Sequence, residues 1–341
     1  MSYAIKTLLM KSIIKKKQKT PFDYAAAEAY TLPADADDTV NNSYYFSAHG
    51  LDGSSLYCRL GIRASYREVW FFYRKDGRAY THKTLVHRED CPLTVEKTTD
   101  GWRFDYRGRL TDDGGEEVDA CFSGAFSSSS APVDFFSHMP PIRTAKAMAG
   151  EKWSREYFSE VQKNNQVHYE QTGRLTGTLT LAGREERIDL PCVRDHSFGT
   201  RCWGYMNNHL WLMAVNEASQ LNFSMVSYPA MSILEVGNYK GEDGRMRYLL
   251  SAEYDRAAVA AGRVPDTLFL TLHLSDGSTL SVTADCRYVT EYLFEDGAYR
   301  LLEGIADFKI DGVPHRGILE LGFNRDGERI FNGKEIGKLR T

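Results

Sequence analysis

The chain has 341 residues, 42% of them apolar, and a net charge of −4, enough for one large domain or two ordinary ones with a sizeable core. That balance excludes wholesale disorder and gives no general attraction to nucleic acid. The 20 Tyr, 17 Phe and 5 Trp favour β structure or an aromatic-lined pocket.

Residues 1–40 read as a basic leader and linker. The first 19 carry Lys6, Lys11, Lys15, Lys16, Lys17 and Lys19 without one acid, so the remainder stands at about −10. Ile5, Leu8, Leu9 and Ile13, with Ala4, recur at helical spacing, which predicts a short basic amphipathic helix. Two readings stay open: a membrane-surface anchor that reaches a lipid-dissolved substrate, or a helix docked on the body with solvated lysines. The apolar patch is too short for a secretory signal, and no run of about 18 apolar residues exists to span a bilayer.

From residue 41 the dominant signal is the hairpin turn. Asp-Gly occurs at 52–53, 76–77, 100–101, 113–114, 243–244, 276–277, 296–297, 311–312 and 326–327. The pair supplies the positive φ angles of a type I′ turn. Its flanks agree: Arg67–Tyr73 runs into Asp76-Gly77, and Trp102–Tyr106 alternates large apolar with charged side chains. These are antiparallel meanders rather than βαβ units. Residues 41–140 and 165–341 are expected to form two antiparallel β-barrels, joined by a connecting helix over 141–164. Residues 255–262 predict a short helix or loop. Small barrels close their edges and commonly hold a lipophilic ligand.

Three polar constellations stand out. The stretch 194-RDHSFGTRCW-203 follows an apolar strand, and Gly199 permits a bend within it. Either Arg194 or Arg201 clamps Asp195 in a buried knot with Glu170, or Asp195 is an acid/base that orients His196 or is itself kept protonated. In 168-HYEQ-171, period two puts His168 and Glu170 on one strand face and Tyr169 on the other. Glu320 lies between Leu319 and Leu321 and points away from both, with Glu303 on the preceding hairpin arm. His209 and Trp211 share one face of 208-NHLWLMAV-215 and either line a cavity or pack.

No G-x-S-x-G elbow, P-loop, G-x-G-x-x-G or H-E-x-x-H occurs, so common hydrolase, nucleotide and zinc-protease motifs are excluded. The six cysteines show no zinc spacing, and reduced thiols of a cytoplasmic protein are expected. No metal site is expected.

The runs 167-VHYEQTGRLTGTLTLAG-183, 194-RDHSFGTRCW-203 and 222-NFSMVSYPAMSILEVGNY-239 resemble the tandem lipocalin-like (calycin-like, AttH-like) superfamily, which includes carotenoid 1,2-hydratase, also called hydroxyneurosporene synthase. The resemblance extends more loosely over about 42–325, and Cys202 stands where its members usually carry aspartate. It implies an all-β fold of two lipocalin-like barrels and a cofactor-independent hydratase, isomerase or cyclase for a lipophilic (isoprenoid, polyene or polyketide-like) molecule. A non-catalytic carrier is the rival. On that view Asp195 is the acid and His196 its positioning partner. Tyr169, Trp203, His209 and Trp211 are walls, and Arg194, Arg201, Glu170 and His168 brace. A cytoplasmic protein, with possible peripheral membrane contact through residues 1–19, is expected.

Overall fold

The computed structural model describes residues 1–163, 166–324, 328–331 and 334–338. Helices α1 (Tyr3–Lys17) and α2 (Tyr24–Glu28) come first. The strands β1 (Val40–His49), β2 (Ser55–Ile62), β3 (Arg67–Lys75), β4 (Arg78–Thr81) and β5 (Val86–His87) follow. Next are β6 (Leu93–Thr98), β7 (Gly101–Asp112), β8 (Glu117–Ser127) and the two-residue β9 (Val133–Asp134). Helices α3 (Pro141–Ala149) and α4 (Arg155–Lys163) lead into two long strands, β10 (Gln166–Leu181) and β11 (Arg184–Thr200).

Strands β1, β2, β3, β4, β7, β8, β10 and β11 form one antiparallel ring, closed by the β10–β11 and β11–β1 pairings. This corrects the expected boundary at residue 165. β10 pairs with β8, so the strands after the helices complete the first barrel instead of opening the second. Helices α3 and α4 are an insertion in the first barrel, and the single expected connecting helix is two, broken at Gly150.

The second barrel is a plain meander. It runs through β12 (Asn208–Val215), β13 (Gln220–Tyr228), β14 (Met231–Lys240) and β15 (Met246–Tyr254), then the short α5 (Arg256–Val259). It continues through β16 (Thr267–Leu274), β17 (Thr279–Phe294), β18 (Tyr299–Ile310) and β19 (Val313–Asn324), and closes by β12–β19 pairing. A last hairpin comprises β20 (Glu328–Phe331) and β21 (Lys334–Lys338). Of the expected type I′ turns, both residues take positive φ at Asp76-Gly77, Asp296-Gly297 and Asp311-Gly312. At 52–53, 243–244 and 276–277 only the glycine does. The turn expected at Asp326-Gly327 lies outside the described residues.

Alternation explains the two cores. In β7, Trp102, Phe104, Tyr106 and Leu110 point inward among Phe46, Phe71, Phe122 and Leu175, while Arg103 and Asp105 point out. In the second barrel Leu210, Leu212, Leu319 and Leu321 fill the interior. Aromatic and aliphatic side chains pack inside both barrels. Strands β1–β3, β12, β18 and β19 are buried on both faces, because their outer faces meet each other. A third core fills that junction: Tyr45, Tyr57, Trp70 and Phe72 from the first barrel against Met213, Tyr292, Leu301 and Ile318 from the second. Trp70 stacks on Tyr292 at 4.5 Å, and the hydroxyls of Tyr57 and Tyr292 meet at 3.0 Å.

Closure of the second barrel needs a residue without a side chain at Gly317. A Cβ there would stand 1.7 Å from the Met213 carbonyl oxygen of β12. Gly317→Ala is expected to cost about 3 kcal/mol, the upper end for overpacking. Urea unfolding checks this, and an unchanged midpoint would contradict so close a contact.

Candidate active site

The stretch 194–200 is not a loop. It is the end of β11, paired on both sides with β1 and β10. Successive residues of a strand point to opposite faces, and this decides the site. Arg194 and His196 point into the first barrel; Asp195 points out, toward the second. Asp195 therefore does not orient His196, which corrects the expected dyad.

Inside, His196 is held by Tyr169, whose hydroxyl donates to Nδ1 at 2.6 Å, and by Asn42, whose Oδ1 accepts from Nε2 at 2.8 Å. Its ring stacks on Tyr44 at 4.4 Å. Burial first, then the nearby Arg194 charge, pushes its pKa down to about 4, so it is neutral. Arg194 does not clamp Asp195. It forms a bidentate pair with Glu28 of α2 and lies over the Trp102 ring at 4.9 Å. This group ties α2 over the barrel mouth, where Phe22 and Tyr24 also pack on Tyr169. Tyr169 thus belongs to the mouth, apart from the other expected wall residues.

On the outer face, Asp195 is in contact with His168 Nε2, and Glu170 lies 3.5 Å from the same nitrogen. Asn222 of β13 donates to both Glu170 oxygens, at 2.7 and 2.6 Å, and so bridges the barrels. Glu170 therefore pairs with an amide rather than with a guanidinium. Arg201 donates to Ser197 Oγ at 3.1 Å and lies over the Trp203 ring at 5.2 Å. Burial alone would lower the His168 pKa, but Asp195 and then Glu170 outweigh it and lift it to about 10. Burial would raise Asp195, yet His168 and Arg201 hold it below the usual carboxylate range. Asp195 is thus an ionised group, not the neutral acid expected of it. Burial raises Glu170.

With an unfolded pKa of 6.5 and a folded one of about 10, His168 contributes stability that is complete below 6.5 and lost as pH rises through 10. The melting temperature of the wild type should fall more steeply than that of His168→Gln between these pH values. Parallel curves would show that the imidazolium contributes nothing.

His168, Glu170 and Asp195 offer ligand atoms within 4.8 Å of one another, so the expectation of no metal centre meets a donor set here. One imidazole and two carboxylates suit a divalent transition ion once His168 is deprotonated. At neutral pH the His168 proton occupies that place.

A second polar group, flagged in the sequence through Glu320, Glu303 and His209, lies on the facing strands. The two carboxyls are directly opposite in the β18–β19 register and both fully buried. Tyr45 donates its hydroxyl to Glu303, and His209 Nε2 meets Glu320 at 2.5 Å. The Tyr299 hydroxyl is 2.6 Å from His209 Nδ1. Burial lowers the His209 pKa to about 4, so the ring is neutral: Nε2–H donates to Glu320 and Nδ1 accepts from Tyr299. Burial and then Glu320 raise Glu303 well above the carboxylate range, and burial raises Glu320. Two carboxyls this close share one proton, with Glu303 as donor.

Aromatic and cationic side chains surround this pair. Trp211 lies 5.5 Å from Tyr45 and 6.3 Å from His168, between the two polar groups. Trp203 stacks on Phe294 at 4.2 Å. Arg59 lies over the Trp70 and Trp203 rings and is ion-paired to Glu68 at 2.8 Å. Among the described residues Arg59 Nη2, Trp70 Nε1, Trp203 Nε1, Trp211 Nε1 and Glu303 Oε2 are buried without a hydrogen-bond partner.

A cleft of about 1260 Å³ opens between the barrels, lined by Tyr66, Glu68 and Arg88 on one side and Asn208, Phe294, Glu295, Arg300 and Phe323 on the other. Neither Glu303 nor Glu320 lines it. Arg59 links the two places, since it pairs with cleft-lining Glu68 and its charge acts on Glu320. Tyr45, Arg59, Glu68 and Asn222 escaped the sequence reading. Arg59 within 56-LYCRLGI-62 and Glu68 before 69-VWFFY-73 were the available signals: charges in strands otherwise apolar on both faces.

A family described as "Domain of unknown function (DUF7064)" matches residues 25–325. The chain belongs to the DUF7064 family. No curated protein matches it by sequence. Three solved structures are similar to this DUF7064 chain, each covering 86% of it. A putative AttH from Nitrosomonas europaea is 14% identical, with 97% of that chain covered and a TM-score of 0.56. CghA, solved with Sch210972, is 11% identical, with 93% covered and a TM-score of 0.50. Kievitone hydratase from Nectria haematococca is 13% identical, with 91% covered and a TM-score of 0.47. At these identities what the DUF7064 chain shares with AttH and CghA is the fold of two closed eight-stranded barrels.

Proposed function

We infer that this protein is a cofactor-independent enzyme that protonates a lipophilic small molecule between its two barrels, as a C=C hydratase, isomerase or cyclase. The carrying observation is the buried Glu303–Glu320 pair, two carboxyls opposite each other in the β18–β19 register, with Glu303 pushed well above the carboxylate range among aromatic faces. A carboxyl kept neutral by a dry site is a proton donor at neutral pH. This moves the acid from Asp195 to Glu303.

For hydration the steps balance as follows. Glu303 gives its proton to one alkene carbon, and the π pair forms the new C–H bond. The cation on the neighbouring carbon is stabilised by ring faces such as Trp211 and Tyr45. Water adds to that carbon, and its surplus proton returns to the carboxylate pair, which regenerates the acid. An isomerase would instead return a carbon-bound proton to Glu320. A cyclase needs only the donated hydrogen bond to polarise a carbonyl. Asp195 and His168 form a charged border beside the Glu170–Asn222 bridge that ties β10 to β13.

A carrier of a lipophilic ligand is the second reading, and one observation favours it: the acids do not line the cleft. Two measurements separate the readings. Small molecules that co-purify with the native protein are identified by mass spectrometry, then returned to the protein in D₂O. Deuterium entering carbon in wild type and not in Glu303→Gln supports the enzyme. Retention of the molecule without exchange or conversion, in both proteins alike, assigns a carrier.

A further inference from the structure

Helix α1 carries two apolar stripes, and the body of the protein uses one of them. Thr7, Met10 and Ile14 are buried against Ala145, Met148 and Tyr157 of α3 and α4 and against Ala230. The helix is pinned at both ends. Lys6 Nζ donates to the Glu151 carbonyl and lies 5.2 Å from the centre of the Trp153 ring, while Gln18 Nε2 donates to the carbonyls of Phe136 and Met139.

The residues that predicted amphipathicity are the ones left outside. Ile5, Leu9 and Ile13 follow at four-residue spacing, with Leu8 beside them, and are 56, 44, 40 and 68% exposed. Met1 is 73% exposed at the start of the same stripe, and Phe136, 46% exposed, adjoins the far end of the helix. At 100° per residue, Lys11 and Lys15 border the stripe on the Leu8 side and Lys17 borders it on the Ile13 side. Lys16 and Lys19 extend the charge at its end. All five are exposed, and no acid occurs before Asp23. A helix of 15 residues is about 22 Å long, so the stripe and its lysines form one flat strip.

We propose that the outer stripe of α1 is a docking surface for an anionic lipid membrane, with the helix in the interface plane. An apolar row sinks into the acyl boundary while flanking lysines meet lipid phosphates and carboxylates, and neither half alone holds a protein there. The charge selects this occupant: five exposed lysines along the strip repel a second copy of the same strip and match an anionic bilayer. Because α1 is fixed to α3, binding would hold the whole body at the surface in one orientation. The proposal stands independently of the chemistry between the barrels.

The test is co-sedimentation of the full chain with phosphatidylcholine vesicles, with and without phosphatidylserine. Wild type is expected to pellet with the phosphatidylserine vesicles, less so as salt rises. Leu8→Ser/Leu9→Ser, at exposed positions that leave the docked face intact, should reduce partitioning about tenfold or more. Each of Lys11→Gln, Lys15→Gln and Lys17→Gln should cost about fivefold at low salt. Equal pelleting of wild type and the Leu8/Leu9 variant, or none with either vesicle, overturns the proposal. So does concentration-dependent dimerisation that Leu8→Ser/Leu9→Ser abolishes without vesicle binding, which assigns the stripe to a second copy.

Discussion

Glu303→Gln is expected to lose turnover by about a hundred- to ten-thousand-fold and yet to be more stable than wild type at neutral pH. Both effects have one cause. In the folded chain burial and the facing carboxyl keep Glu303 protonated well above its ordinary value of 4.5. An acid with a raised folded pKa binds more protons folded than unfolded. Its stability contribution is therefore present below 4.5 and lost as pH rises toward the folded value. At neutral pH the wild type carries that penalty, and glutamine, which cannot ionise, removes it. The amide keeps the hydrogen bond from Tyr45 and the shape of the carboxyl, so the geometry survives while the transferable proton does not. Melting curves at pH 5 and pH 7 check this. Wild type should gain more than the variant on acidification, and a variant less stable than wild type at pH 7 would contradict the shared-proton pair.

Glu68→Ala is expected to cost about 3–5 kcal/mol of stability at the barrel junction. Glu68 and Arg59 are each 3% exposed, and Glu68 faces Arg63 as well, at 3.6 Å. Removing the carboxylate leaves Arg59, over the Trp70 and Trp203 rings, without its ion pair, whereas Arg63 keeps its bonds to the carbonyls of Asp38 and Arg201. No side chain can substitute locally, since position 61 is a glycine whose absent Cβ leaves room for Arg59 and Glu68 to meet. Glu68→Gln, which keeps the shape and a hydrogen-bond acceptor, should lose less. Urea unfolding of both variants measures the difference. A loss below about 1 kcal/mol for Glu68→Ala would mean that the arginines find other partners.

Which face a residue occupies was legible; what covers that face was not. The two-residue period puts Glu320 on the face opposite Leu319 and Leu321 but leaves open whether that face is inner or outer; the two leucines fill the barrel, so it is the outer one. Only the first barrel, pressed on β19, makes that outward position fully buried and raises its pKa. The same rule, had it been applied to Asp195 and His196, separates them, because neighbours in a strand diverge. Their density in sequence suggested a dyad that the pleat forbids. His168 and Glu170, two apart, do converge, and Asp195 joins them because it lies opposite Glu170 in the β10–β11 register. The domain boundary went astray for a related reason. Helices α3 and α4 look like a linker along the chain, but β10 and β11 pair backward across them with β8 and β1.

Local sequence, then, determined the all-β character, the hairpins and the inward and outward sets, because turn chemistry and the two-residue period act between near neighbours. It also determined the helical, lysine-rich start of the chain. Tertiary structure alone decided that the two sets of outward residues face each other, that Glu303 and Glu320 share a dry site with Tyr45 and His209, and that α1 docks by Met10 and Ile14 rather than by its longer apolar stripe. These depend on contacts between distant segments, such as the 258 residues from Tyr45 to Glu303, and no local pattern carries the free energy that selects among such partners.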